Sequence, residues 1–382
     1  MKPLIWVMWE LSGARYIFEK IAPPPGNKPT GYKPPVTVTL WMLAAYVAFF
    51  GVASARYENR VDIIENRANS IYAQLGTSVY KKALGRIPRV QKMVCPKKPY
   101  LLKPQTVFQS LFSNQGVYEQ INSELRETIE DWKNDLSEVD LQGADLIGIN
   151  FEKANLAGAN LAGADLRYSS LPEANLQGTN FQGANLFRAF FSYSDLRNAD
   201  LSGADLRNTD FGSANLEEAE LIKSNLQGAS LRGAFLYKAN LHFANLSGAD
   251  LKNANLTRVT LIRANLIGGN LVGTNLLEAH LSGANLTGAN LQNADLTRAD
   301  FSGVNFIINE ARRGSTLDPV KEILGIGKIK TNLAGADLQG ANLMGTDFQG
   351  VDLSSVLNLD RAKNLDKAIR SSKSLNISPL KM

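Results

Sequence analysis

The sequence contains one cysteine, Cys95, and two histidines, His242 and His280. A single cysteine excludes an intrachain disulfide, and so few soft ligands exclude a zinc site of the usual Cys/His kind. No glycine-rich phosphate loop and no Ser-His-Asp arrangement is present, and nothing in the chain asks for a cofactor. Acidic residues are absent from residues 66–118, and charge of either sign is absent from Pro34 to Ala55. The net charge of +5 is therefore unevenly placed. It divides into about +7 before residue 136, about −5 over 136–306 and about +3 beyond. Basicity lies outside the long central region, which disfavours a domain that grips nucleic acid along its length.

The uncharged run, VTVTLWMLAAYVAFFGVAS, has about the 20 residues that cross a bilayer's hydrocarbon layer. It predicts a transmembrane helix over 36–55, with Trp41 at an interface. Ala53-Ser54-Ala55 fits a signal-peptidase site, but the leader at 1–35 is longer than an ordinary n-region and has its own apolar stretch, LIWVMWEL. Arg15, Lys20, Lys28 and Lys33 precede the run, and Arg56, Arg60 and Arg67 follow it. This near tie leans towards the leader inside and the repeats outside, in a membrane of the bacterial inner-membrane kind.

Beyond the run, Tyr57, Val61, Ile64, Ala68, Ile71 and Leu75 recur at alternating spacings of four and three, a heptad seam. The same register runs back through Ser54, Phe50, Val47, Leu43 and Leu40. The expectation is a helical stalk that self-associates through residues 40–75, with packing against the chain's own helices as the competing use. The stalk and a basic connector occupy 56–115. The basic stretch at 81–103 suits anionic lipid headgroups, or else a solvated linker. Residues 116–135 form an amphipathic helix, with Tyr118, Ile121, Leu125, Ile129 and Trp132 on one face. Its expected job is to cover the open end of the long region that begins at Leu136.

From Leu136 to Phe306 every fifth residue is Leu or Phe, and the residue two before each is small, usually Ala. In an α-helix, residues five apart are turned by about 140°, so the leucines would scatter. In a flat strand an odd period sends alternate leucines to opposite faces. A coil that turns a corner every five residues buries them all, and four sides close a turn of about 20 residues, stacked about 4.8 Å apart. About nine such turns make a rod roughly 40 Å long. The stretch ANLAGANLAGADL resembles the pentapeptide-repeat family, whose unit is A-(D/N)-L-x-x. The resemblance implies a mainly β fold, a right-handed quadrilateral β-helix. Here that solenoid is joined to an N-terminal α-helical region with one transmembrane helix. Residues 307–330 break the register as an insertion, with a short helix expected after Asp318-Pro319. Repeats return over 331–355, and 356–382 forms a cap and tail.

The Asp and Asn before each Leu look like paired acids, but the repeat accounts for them, so they are discounted as catalysis. The same repeat generates the sequons at Asn245, Asn255 and Asn285. Residues 20 apart stack in adjacent coils. This predicts a charge ladder of Glu218, Lys238, Arg258, Glu278 and Arg298 on a solvated face. Two apolar features stand out as partner surfaces. One is a corner of Tyr168, Phe187, Phe190 and Tyr193. The other is a belt of Ile262, Ile267, Val272 and Leu277 over Ile222 and His242, with Phe243 between Lys223 and Arg263 in a cation–π stack. The 307–330 insertion could instead cover part of that belt. The reading is a non-enzymatic, membrane-tethered scaffold with a protein partner. Some members of the resembling family mimic a DNA duplex and inhibit DNA gyrase, which makes a topoisomerase-directed role the alternative.

Overall fold

The computed structural model describes residues 36–112, 116–117, 119–306, 331–348 and 351–368. The leader at 1–35, Tyr118, the insertion at 307–330 and the end of the tail lie outside the described residues. The chain divides into two compact units, Met1–Arg67 with Lys92–Glu119, and Ala68–Gln91 with Gln120–Met382. Helix α1, Val36–Leu75, is continuous through 40 residues.

In the first unit, α1 is accompanied by a two-stranded antiparallel ladder and a short helix. The strands are β1, Val94–Cys95, and β2, Gly116–Val117, with Cys95 opposite Gly116. Helix α4, Pro104–Phe112, lies between them in sequence. Val61 and Ile64 of the heptad seam are buried inside the chain, whereas Leu43 and Val47 are exposed and Phe50 and Tyr57 are half-buried.

The second unit is the tube with its cap. Parallel bridges join residues 20 apart without a break, from Asp140↔Asn160 to Asn285↔Asn305. Each corner is a β-turn. Ala164 N–H donates to Leu161 O at 3.0 Å, and Gly163 between them has φ +63°, the positive value that marks a type II turn. The remaining backbone groups bond between coils, as where Leu161 N–H donates to Asn180 O at 2.7 Å. The repeating leucines are fully buried, each contributing about 1.5–3 kcal/mol. Small neighbours leave room for them, and where these are Ser or Thr the hydroxyl is satisfied. Thr179 donates to Leu156 O at 2.8 Å and Ser194 to Phe191 O at 2.6 Å. In the interior Phe191 stacks on Phe211 with centroids 5.0 Å apart, and Phe181 meets Phe191 edge-on at 6.1 Å.

Asp and Asn before each Leu form Asx-turns. Asn160 Oδ1 accepts Ala162 N–H at 3.2 Å, and its side-chain amide donates to Asp140 below at 2.9 Å. These residues thus set the corners and link the coils.

Three elements cover the first coil: α2, Tyr80–Leu84, α3, Ile87–Gln91, and α5, Glu119–Asp131. A solvated connector does not describe residues 80–91, because Ala83, Leu84, Ile87, Val90 and Gln91 are buried. Tyr80 stacks on Trp132 at 4.8 Å, and Lys81 donates to Ser137 O at 2.7 Å. The Gln91 carboxamide donates to Asp145 O at 2.8 Å and accepts Asp145 N–H at 2.9 Å. It makes both bonds that a preceding coil would make. Ile71 of the seam is buried in this unit too.

At the far end, Asn290 pairs with Asn332 and Asn305 with Asp347, 42 residues apart in place of 20. The tube therefore continues across the 307–330 segment in its original register. The Thr331 hydroxyl accepts Gly288 N–H at 3.0 Å, closing the corner where the chain re-enters. The last partial coil, carried by short 3-10 turns at Leu359–Arg361 and Leu365–Lys367, pairs Asp337 with Leu357 and Asn342 with Lys363.

Candidate functional site

The third residue of each corner has positive φ. Glycine accepts this without cost, but an L side chain there costs about 1–2 kcal/mol. Tyr168, Tyr193 and Phe243 hold φ values of 60°, 61° and 59°. Arg188, Arg263 and every member of the Glu218–Arg298 ladder occupy the same position. The repeat thus presents several of its bulky outward groups from its least tolerant backbone position. Residues kept there without any core role are candidates for function.

Around Phe187 these positions converge. Tyr168 meets the Phe187 ring edge-on, with centroids 5.8 Å apart at 85°. The Arg188 and Arg207 guanidinium carbons lie 5.2 and 5.5 Å from the Phe187 centroid. Arg207 is itself held by Asp205, with Nη2 2.6 Å from Oδ2. The hydrogen bond from Arg207 keeps the Asp205 carboxyl below its usual range, so the pair stays ionised at neutral pH. Tyr168 is 50% exposed, Phe190 52% and Tyr193 71%. Phe190 and Tyr193 are neighbours without a ring contact to the Tyr168–Phe187 pair.

The belt is less open. Ile222, His242, Ile262, Ile267, Val272 and Leu277 are all half-buried, and the last four occupy successive sides of one coil. They therefore form no single face. Phe243 is exposed, 4.1 Å from His242 centroid to centroid, with Arg263 5.8 Å above its ring. Lys223 makes no such contact with it. The charge ladder is paired: Lys238 to Glu218 at 3.0 Å, Arg258 to Glu278 at 2.8 Å and Arg298 to Glu278 at 3.0 Å.

Sequence reasoning passed over Phe235, which is exposed at a position where the repeat calls for Asp or Asn. The lost Asx residue is its signal, and Phe190 shares it. Also passed over were Leu101, Leu102, Phe108 and Phe112 in the first unit, all exposed. Among the described residues, no group of three or more His, Cys, Asp or Glu could hold a metal.

Comparison with known proteins agrees with this architecture. The family model described as pentapeptide repeats matches in eight copies, over residues 135–171, 169–203, 199–236, 239–276, 274–307 and 329–357. No curated protein matches the chain. Among solved structures, HetL, a pentapeptide repeat protein involved in heterocyst differentiation regulation from the cyanobacterium Nostoc sp., is 31% identical. That match covers 58% of this chain and 87% of HetL, with a TM-score of 0.42. QnrB1, a plasmid-mediated fluoroquinolone resistance protein, is 21% identical over 54% of this chain and 91% of its own, with a TM-score of 0.27. Rfr23 from the cyanobacterium Cyanothece 51142 is 36% identical over 31% of this chain and 60% of its own, with a TM-score of 0.10. Pentapeptide-repeat proteins fold as right-handed quadrilateral β-helices and are generally structural or regulatory. With the family model matched over more than half its length and the 20-residue bridge ladder running through the same residues, the chain belongs to the pentapeptide-repeat family.

Proposed function

We propose that the chain is a membrane-tethered, non-enzymatic scaffold whose β-helical rod presents a rigid surface to a protein partner. The observation that carries this reading is the Tyr168–Phe187 corner with Arg188 and Arg207 against it. Aromatic and arginine side chains dominate binding hot spots, because they bury much area at little conformational cost. A rod whose coils are tied to one another by a continuous backbone ladder loses little entropy on binding. The tether is supported by α1, whose apolar stretch is long enough to cross a bilayer and is largely exposed. The side of the membrane is proposed to be outside the cytoplasm, and protease protection of the rod in oriented vesicles reads it directly.

A topoisomerase-directed DNA mimic needs a continuous uncompensated acidic face. Here Asp165, Asp195, Asp205 and Asp250 each carry an arginine partner within 2.8 Å, which argues against that alternative. The test is affinity capture from mild detergent with the wild-type chain and a Tyr168→Asp/Phe187→Asp variant. Both substitutions lie on the rod's outside, so its circular dichroism stays unchanged. The variant is expected to lose a captured protein, with affinity lowered about 30-fold or more, as for a hot spot of about 2 kcal/mol. An identical captured set from both proteins contradicts the assignment of this corner.

A further inference from the structure

We propose that residues 96–112 form a re-entrant hairpin that enters one leaflet of the bilayer alongside α1. This rests on the reading of α1 as a membrane helix, and it adds a second membrane element that the run of charges and apolar residues does not announce.

The hairpin is fixed to α1 at four levels. The Tyr46 hydroxyl donates to Leu101 O at 2.6 Å. The Phe49 and Phe108 rings lie 6.5 Å apart. Ser110 Oγ donates to Ala53 O at 3.3 Å, and the Arg56 guanidinium donates to Leu111 O. The order of these contacts gives the path. The chain descends from Pro96, turns at Leu101–Lys103 beside Tyr46, and climbs back through α4 to the level of Arg56. From Tyr46 to Arg56 is about 15 Å along a helix, half of a hydrocarbon layer about 30 Å thick.

Three further features fit lipid as the occupant. The tip and the outer side of α4 carry open apolar side chains, with Leu102 91% and Phe112 82% exposed, Leu101 and Phe108 exposed beside them, and the amides of Gln105 and Gln109 exposed among them. Beside them α1 exposes Leu43, Val47, Phe49 and Val52 around its circumference. The turn ties part of its backbone internally, which a hydrocarbon surrounding favours. Lys103 N–H donates to Tyr100 O, Thr106 N–H to Lys103 O and Tyr100 N–H to the Thr106 hydroxyl, each at 2.9 Å. Above this layer the same unit turns basic. Arg60 is held to Val94 O at 2.8 Å and lines an open depression with Arg56 and Pro96, and Lys97 and Lys98 are exposed next to it. Apolar below and cationic above is the profile of a leaflet and its anionic headgroups. Lys103 is the one charge at the tip, and its ammonium sits 5.5 Å from the Tyr100 ring centroid.

The experiment uses the full chain with Cys95 replaced by Ser, reconstituted into vesicles of phosphatidylcholine and phosphatidylglycerol. Single cysteines at Leu102→Cys, Phe112→Cys, Val47→Cys and Gln182→Cys are labelled with a polarity-sensitive fluorophore. Quenching is then read with lipids carrying a nitroxide on the acyl chain. The expected result is strong quenching at 102 and 112, comparable to that at 47, and none at 182 on the rod. Quenching at 47 with water-like emission at 102 and 112 overturns the hairpin, keeps the tether and leaves that surface to a protein partner. Water-like emission at 47 as well overturns the membrane reading of α1, and the hairpin with it.

Discussion

Gly163 sits at the third position of its corner with φ +63°, and a Cβ built on it meets nothing within 4 Å. A substitution there therefore measures backbone strain and nothing else. Gly163→Val is expected to lower stability by about 1–2 kcal/mol in urea denaturation, and Gly163→Asn by clearly less, because a β-branched chain tolerates the left-handed region worst. Equal losses in the two variants contradict the corner geometry. The same cost applies to Tyr168 and Tyr193, which hold the position with large exposed rings. Their presence on the outside could be read from the repeat, but their strain could not, since the five-residue pattern does not state which of its two variable positions carries positive φ. The Asx role of Asn160 and its equivalents was hidden for a similar reason. A side chain that caps a backbone N–H two residues on looks, in sequence, like a free polar group.

The cap illustrates the limits of periodicity at the scale of elements. The amphipathic pattern of Ile121, Leu125 and Ile129 marked α5, and all three are buried. The second layer, α2 and α3, lay inside a run of lysines and arginines whose charge obscured its buried Leu84, Ile87 and Val90. Gln91 is the extreme case, because its meaning depends on the Asp145 backbone 54 residues away. Gln91→Ala leaves the Asp145 N–H and C=O without these partners at a buried edge, which costs about 1–3 kcal/mol. Native-state hydrogen exchange is expected to show the Asp145 amide and the rest of the first coil opening before the middle of the tube. Unchanged protection there argues against the cap. The heptad seam divides in the same way. Val61, Ile64 and Ile71 are consumed by the chain's own packing, and Leu40, Leu43 and Val47 remain exposed. In this conformation, self-association through 40–75 draws chiefly on the N-terminal part of the seam.

For the whole molecule, the bridge ladder makes a numerical prediction. Removing residues 308–329 deletes 22 residues, the difference between the spacings of 42 and 20. Asn332 then falls 20 residues after Asn290, and Phe306 leads into Thr331 as one more repeat. The shortened chain is expected to fold with the same β signature in circular dichroism and a stability within about 1 kcal/mol, since loop closure depends only weakly on length. Deleting 20 residues instead shifts Leu333 off the interior and is expected to disrupt the last coils. Equal stability of the two deletions rules out the register. By itself the sequence determined the tube, because a bulky and a small side chain recurring every five residues have one way to leave water together. Tertiary structure alone decided which segments join α5 in closing the open end and where the basic stretch folds back. Each of these depends on contacts between segments that no local period connects.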